Sequence, residues 1–397
     1  MKNQQTTFYE AFHSQVLNEK RIKQLLQNEL NTEQKVNKKD EQKRTPLHLA
    51  CASTKNEKII EWLLKYKAKV NEKDIYQNTP LHYACVNRSN EKIIKLLLNE
   101  NADINAEDLK GRTALRIACA TTNNENIIKV LLSYHADVHH KDKEQRTALH
   151  YASKNPYCNA KIIDMLLQHE ANINEKDINQ QTPLHIAVEA KNENAIECLL
   201  KHQAKVNEMD KLKKTPLHVA VERQANEYII KLLLNQQANV NEKNLNGRTA
   251  LHLAAETNRV SLINLLIQNN AEIDAKDYLG HTPLHVACIR NKHLEIIEAL
   301  LRHQASIDAT TNMNETPLIL ACKYFKNLHI VQRLINISDI HATDRELQTP
   351  LHYACLKYNV NLVFLLLKHQ ASVHVTNSLS RTPLHVVCGK HSFYPFG

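Results

Sequence analysis

The sequence predicts an all-α fold of stacked, repeated helix–loop–helix units, and three observations carry that expectation. A tetrapeptide Thr-Pro/Ala-Leu-x begins at Thr45, Thr79, Thr113, Thr147, Thr182, Thr215, Thr249, Thr282, Thr316, Thr349 and Thr382, always 33 to 35 residues apart. Each copy but the last is followed by a stretch with apolar pairs one helical turn apart, such as Ile59-Ile60 and Leu63-Leu64. Aromatic residues make up only 5% of the chain and Gly occurs five times, so the core must be Leu, Ile, Val and Ala in close packing. A period of this length means that each unit buries its apolar face on its neighbours instead of folding alone.

The elements follow from the slots of one repeat. Thr followed by Pro reads as a helix start, because Thr caps free N–H groups and Pro has no N–H to leave unsatisfied. Eight of the ten prolines occupy this slot. Leu47 and Ala50, with their counterparts, fall on one face of a short first helix, and the small Ala permits close approach of the next helix. The second helix carries stripes such as Ile93-Ile94-Leu97-Leu98 and Ile296-Ile297-Leu300-Leu301. Neither helix is long enough to persist alone, so stacking must supply the stability. Five residues before each Thr stands a turn-former: Asp at most repeats, Asn at 244 and 377, Thr at 311. A short Asx side chain bonds nearby backbone and starts a tight turn. The alternation before it, as in Ala171-Asn172-Ile173-Asn174, fits an extended approach.

Seven copies read Thr-Pro-Leu-His, two read Thr-Ala-Leu-His, and Thr113 and Thr316 begin Thr-Ala-Leu-Arg and Thr-Pro-Leu-Ile. In this register, from about Asp40 to Cys388, the chain resembles the ankyrin-repeat family. The resemblance implies an ankyrin solenoid with β-hairpin-like tips: an N-terminal capping helix pair in residues 1–39, ten repeats in 40–376 and an incomplete repeat in 377–397. Thr7-Phe8-Tyr9-Glu10 reads as a capping box within the first of these. The resemblance also implies that the tetrapeptide His ties its turn to its own repeat and to the next. The family's usual Gly after the second helix is absent. Lys67, Asn101, His135, Glu170, Gln203, Gln237, Asn270, Gln304 and Gln370 stand there, and each is expected to be left-handed at a cost of about 1 kcal/mol. The repeat around Ile335 to His341 is one residue shorter at this point. Asn71, Asn105, Asn174, Asn207 and Asn241 resemble sites of asparaginyl β-hydroxylation.

Several function classes are disfavoured by the sequence. It has no GxGxxG or GxxxxGK[ST] loop for phosphates and no HExxH, GxSxG or paired-carboxylate signature. Ser, His, Asp and Glu recur at repeat slots or lie in variable loops, so no enzyme, cofactor or metal site is expected. The His-x-x-Cys pairs (His48/Cys51, His82/Cys85, His285/Cys288, His352/Cys355 and His385/Cys388) place two metal-competent groups on one helix face. Their recurrence at framework slots makes them structural. Seven of the nine cysteines share one slot that elsewhere holds Ser153, Val188, Val221 or Ala255, which marks a small buried core site. Stacked helices ~8–10 Å apart exceed the ~7 Å Cα reach of a disulfide. The polar N-terminus lacks an apolar signal core and no apolar run approaches the ~20 residues of a membrane span, so a reducing cytoplasmic or nuclear setting without membrane insertion is expected.

Binding is the expected function. The formal charge is +9, spread in both signs along the chain. The residue before each Thr is cationic in six of eleven repeats (Arg44, Arg112, Arg146, Lys214, Arg248 and Arg381) and would form a basic stripe stepping by ~10 Å. An acidic protein surface or peptide fits such a stripe. The lack of interleaved aromatics argues against nucleic acid. Members of the resembling family meet partners through hairpin tips and the concave face of the first helices. Here the tips carry apolar residues, among them Tyr76, Leu109 and Tyr278. The function expected is a non-catalytic protein-binding scaffold or adaptor. The alternative, motivated by the incomplete last repeat, is the recognition arm of a larger channel, kinase or ubiquitin-ligase adaptor.

Overall fold

A computed structural model describes residues 11–12, 19–27, 32–53, 57–86, 91–157, 160–290 and 293–388. The chain divides into two units, Met1–Lys211 and Leu212–Gly397. Among the described residues every regular element is an α-helix, and the architecture is an all-α repeat solenoid. The capping box at Thr7 to Glu10 and the tail after Cys388 lie outside the described residues. Within the expected N-terminal cap, Glu19–Gln27 and Thr32–Val36 are helical.

In the first unit, first helices such as Pro46–Ser53, Pro80–Val86, Ala114–Thr121, Ala148–Lys154 and Pro183–Glu189 pack on one another in sequence order. Their second helices, Glu57–Lys65, Glu91–Asn99, Glu125–Ser133, Ala160–Gln168 and Glu193–Lys201, pack in a parallel series and on their own first helices. The second unit repeats this from Pro216–Glu222 through Pro383–Cys388. The stripes read from the sequence form the core: Leu47, Ile59, Ile60, Leu63, Ile93, Ile94 and Leu97 are fully buried in the first unit, and Ile229, Ile230, Leu233, Leu262 and Ile263 in the second.

Each helix start is secured by the tetrapeptide. At Thr282 the backbone N–H donates to His285 Nδ1 at 3.1 Å, and His285 Nε2 lies 3.1 Å from the Glu315 carbonyl in the next repeat. An N–H donor at Nδ1 fixes the neutral tautomer whose Nε2–H donates onward. The same latch joins His48 to Asn78, His82 to Arg112, His150 to Gln181, His218 to Arg248, His252 to His281 and His352 to Arg381. Arg116 stands in the His slot of one repeat. Its guanidinium lies 3.3 Å from Asp142 and 3.6 Å above the Tyr151 ring, both in the next repeat, so it bridges by charge where the others bridge by imidazole.

All nine residues at the missing-Gly slot are left-handed, with φ between 60° and 66°. No residue from Ile335 to His341 has positive φ, which agrees with the shortened turn there. The asparagines proposed for hydroxylation hold this turn in register. Asn71 donates to the Asn101 carbonyl at 2.9 Å and accepts from Asp103 N–H at 2.7 Å; Asn241 does the same with Asn270 and Glu272 at 3.0 and 2.8 Å.

Candidate functional site

The tips are turns, not β-ladders. In each, the Asx carboxylate or amide oxygen accepts from the backbone two and four residues on: Asp74 Oδ1 from Tyr76 and Asn78, both at 2.8 Å, and Asp277 Oδ1 from Leu279 and His281 at 2.9 and 2.8 Å. Thr311 performs the same task with its hydroxyl, accepting from Met313 and Glu315 at 3.1 and 3.2 Å. The third residue after the turn-former is also left-handed. That slot holds Lys43, Gln77, Gly111, Gln145 and Gln180 in the first unit, and Lys213, Gly247, Gly280, Asn314, Leu347 and Ser380 in the second. The sequence expectations missed this second left-handed slot, although three of the five glycines mark it.

Each tip is stitched to the next by a backbone hydrogen bond. In the first unit Leu109 N–H donates to the Tyr76 carbonyl at 2.9 Å. In the second, Leu245 donates to Leu212 (2.9 Å), Tyr278 to Asn246 (3.2 Å), Asn312 to Leu279 (3.0 Å) and Arg345 to Met313 (2.9 Å). This lacing fixes the backbone while the tip side chains stay in solvent. Tyr76 is 54% and Leu109 50% exposed, and Tyr278, Leu279 and Leu379 are 60%, 62% and 67% exposed. Leu212, Leu245 and Met313 are exposed beside them in sequence order along the second unit.

The cationic slot is organised differently from a free basic stripe. Arg44 pairs with Asp40 at 2.9 Å, and Arg112 with Asp108 of its own turn. Arg146 reaches forward to Asp177 at 3.0 Å and sideways to Glu144 at 2.8 Å. Lys214 meets Glu222 at 2.6 Å, and Arg248 meets Glu256 at 3.0 Å and Asp277 at 3.3 Å. All five are half-buried, whereas Arg381 is exposed and has no carboxylate at ion-pair distance among the described residues. Burial works against the charge of Asp108, but hydrogen bonds from Arg112 and Lys110 outweigh it and hold its carboxyl below the usual range. Burial works against the charge of Asp277, but hydrogen bonds from His281 and the turn amides outweigh it and pull the carboxyl down to about 2.

Two other surfaces were not anticipated from the sequence. In the first unit, Arg146, Lys154, Asn179, Gln181, Ile186 and Glu189 line a polar groove of about 430 Å³ on the first-helix side. In the second, Leu351, Tyr358, Val360, Leu367, Val373 and Leu384 line an apolar groove of about 480 Å³. It lies on the side of Pro383–Cys388 where preceding repeats pack a second helix.

None of the eight described cysteines forms a disulfide, and seven of them are buried. His48, His82, His285 and His352 of the His-x-x-Cys pairs are engaged with Thr backbone and with a carbonyl of the next repeat, which gives those motifs a structural role. No helix among the described residues is long and apolar enough to cross a membrane.

Repeated helix pairs, latched turns and laced tips define a repeat solenoid. A family profile for ankyrin repeats (3 copies) matches residues 12–108, 72–142, 107–177, 157–244, 184–277, 276–344 and 318–393, and the chain belongs to the ankyrin-repeat family. Ankyrin repeats are generally protein–protein interaction modules, and the fold is typically non-catalytic. Comparison with curated proteins returned no match.

Proposed function

We propose that the protein is a non-catalytic scaffold or adaptor that grips a partner protein through its tips. The observation that carries this is the row of exposed apolar side chains on the second unit, Leu212, Leu245, Tyr278, Leu279, Met313 and Leu379, each on a turn joined to a neighbouring turn by backbone hydrogen bonds. Exposed apolar residues clustered along one edge mark interaction surfaces. A preformed edge also avoids most of the ordering cost of binding. Tyr76 and Leu109 offer the same chemistry on the first unit. Among the cations, Arg381 is the one best placed for an acidic group of the partner. Arg44, Arg112, Arg146, Lys214 and Arg248 would act at the rim, keeping their internal carboxylates while facing the partner's acidic groups.

The test is affinity capture from the source cells with intact protein beside Tyr278→Ser/Leu279→Ser, with circular dichroism confirming equal folding. A central aromatic anchor contributes about 2 kcal/mol or more, roughly thirtyfold in affinity. A specific partner held by the parent chain and lost by the variant is the expected result. A partner retained at parental affinity moves the interface off this edge and overturns the reading.

A further inference from the structure

The second helices Ala160–Gln168 and Glu193–Lys201 belong to successive repeats of the first unit and pack together. Between them three chemically different ligands converge. Asp164 Oδ1 lies 2.7 Å from His202 Nε2 and 3.3 Å from Cys198 Sγ. All three ligand atoms lie within 4.8 Å of one another. Cys198 and His202 are four residues apart, which puts them one above the other on the same helix face. Cys198 is outside the slot shared by the core cysteines, yet it is only 4% exposed, while Asp164 and His202 are open to solvent on one side.

The second unit contains an internal comparison. His303 Nε2 lies 2.9 Å from Asn264 Oδ1, at the same positions of two successive second helices, and Ala299 stands where Cys198 would be. The imidazole-to-side-chain link between repeats is therefore a structural device that needs neither a carboxylate nor a thiol. What the first unit adds is both at once: Asp for Asn and Cys for Ala, turning a neutral hydrogen bond into an oxygen, nitrogen and sulfur donor set.

We propose that Asp164, Cys198 and His202 form a binding site for one borderline-soft divalent cation, with Zn²⁺ the best match, that staples the two repeats. Thiolate, imidazole and carboxylate are the ligands this ion takes, in tetrahedral geometry with a fourth position left to water. The hard cations Mg²⁺ and Ca²⁺ require oxygen shells and are excluded by the sulfur. Zn–N and Zn–O bonds of about 2.0–2.2 Å place tetrahedral N and O ligands roughly 3.3 Å apart. Asp164 and His202 need to part by only about 0.6 Å from their present contact to admit the ion. Coordination replaces the His202–Asp164 and Cys198–Asp164 hydrogen bonds, and the thiol proton is released to solvent.

The test is titration of the intact, reduced chain with Zn²⁺ by calorimetry and with Co²⁺ by absorption. One equivalent of Co²⁺ should give a thiolate-to-cobalt charge-transfer band in the near ultraviolet, and saturating Zn²⁺ should raise the thermal midpoint. Cys198→Ser should abolish the band, while Cys158→Ser and Cys388→Ser keep it. Asp164→Asn recreates the chemistry of the Asn264–His303 link, so it should fold like the parent in the absence of metal. It should nevertheless bind Zn²⁺ about a hundredfold more weakly or worse. No band in the parent chain, a band that survives Cys198→Ser, or unchanged Zn²⁺ affinity in Asp164→Asn overturns the site. None of these outcomes depends on which surface binds the protein partner.

Discussion

The histidine latch makes acid sensitivity a built-in property of the array, and His285 allows its size to be worked out. The ring is fully buried, its Nδ1 already accepts a hydrogen bond from Thr282 N–H, and its Nε2 donates to Glu315. A proton arriving at Nδ1 must expel the Thr282 donor and place a charge in the core. Burial, opposed by the bond to the Glu315 carbonyl and reinforced by the neighbouring His281 and Lys276, lowers the His285 pKa to about 4. In the unfolded chain it returns to about 6.5. Between those values the unfolded state binds more protons, so folding stability is complete above about pH 6.5 and falls as pH drops toward 4. At pH 5 the loss from this residue alone is about 2 kcal/mol, and no further loss comes from it below pH 4. His48, His82, His150, His252 and His352 are shifted the same way by burial and add to the effect. Urea unfolding followed by circular dichroism at steps from pH 7.5 to 5.0 measures this directly. The midpoint should hold from pH 7.5 to about 6.5 and fall from there to pH 5.0. In His285→Ile, which copies the residue found at Ile319, the pH 7.5 midpoint should be lower but its further decline smaller. Stability that is flat from pH 7.5 to 5 and collapses only below pH 4 would refute the argument. That window belongs to carboxylates such as Asp277, whose contribution is present above its unfolded pKa of about 3.9 and is lost toward about 2.

The turns and the core thiols give three further tests. Gly247→Ala should destabilise the second unit by about 1–3 kcal/mol in urea melts, because φ is 75° and a Cβ would lie 2.7 Å from the Tyr278 backbone nitrogen. Gln237→Gly and Gln304→Gly should each stabilise by about 0.5–1 kcal/mol, since both residues sit in the left-handed region at 62° and 66° with a Cβ that Gly lacks. Burial pushes the Cys85 thiol up to about 12 and raises Cys51, Cys288 and Cys322 as well, so a thiol-specific reagent at neutral pH should label exposed Cys388 at once and these four only after unfolding.

What the sequence disclosed and what it concealed divide by the range of the interaction. Helix starts, Asx turns, buried stripes and the left-handed slot after the second helix are all decided within a few residues, so slot chemistry was sufficient. Gly111, Gly247 and Gly280 fall at one slot and mark a second left-handed position, which Lys, Gln, Asn, Leu and Ser fill in the other repeats. The pairings that shape the surface are not local. Arg146 finds Asp177 and Arg248 finds Asp277, 31 and 29 residues on, and Asp164 meets His202 across 38 residues. Which of several nearby carboxylates a long cation chooses depends on the stacking geometry between repeats. Arg116 shows the same limit: its slot says that a histidine is missing, and only the fold reveals the Asp142 and Tyr151 contacts that replace the latch.

Those long-range pairs also set the terms on which a partner can use the cationic slot. Asp177 has no exposed side-chain surface and Asp277 almost none, so pulling Arg146 or Arg248 away to meet an incoming carboxylate would remove the arginine counter-charge from a buried carboxylate. Removing one partner from a buried pair costs about 3–5 kcal/mol, whereas an exposed ion pair returns about 0–1 kcal/mol. An acidic peptide therefore gains little by breaking the pairs and must instead approach cations that keep their internal carboxylates. By the same balance, replacing these arginines by Ser destabilises the turn as well as removing the charge. The tip side chains carry no such burden. Tyr278, Leu279 and Leu379 project from turns held by backbone bonds, so changing them removes apolar contact area and leaves the stitching intact. Selection can vary these residues without disturbing the array, and for that reason partner choice is expected to reside at the tips.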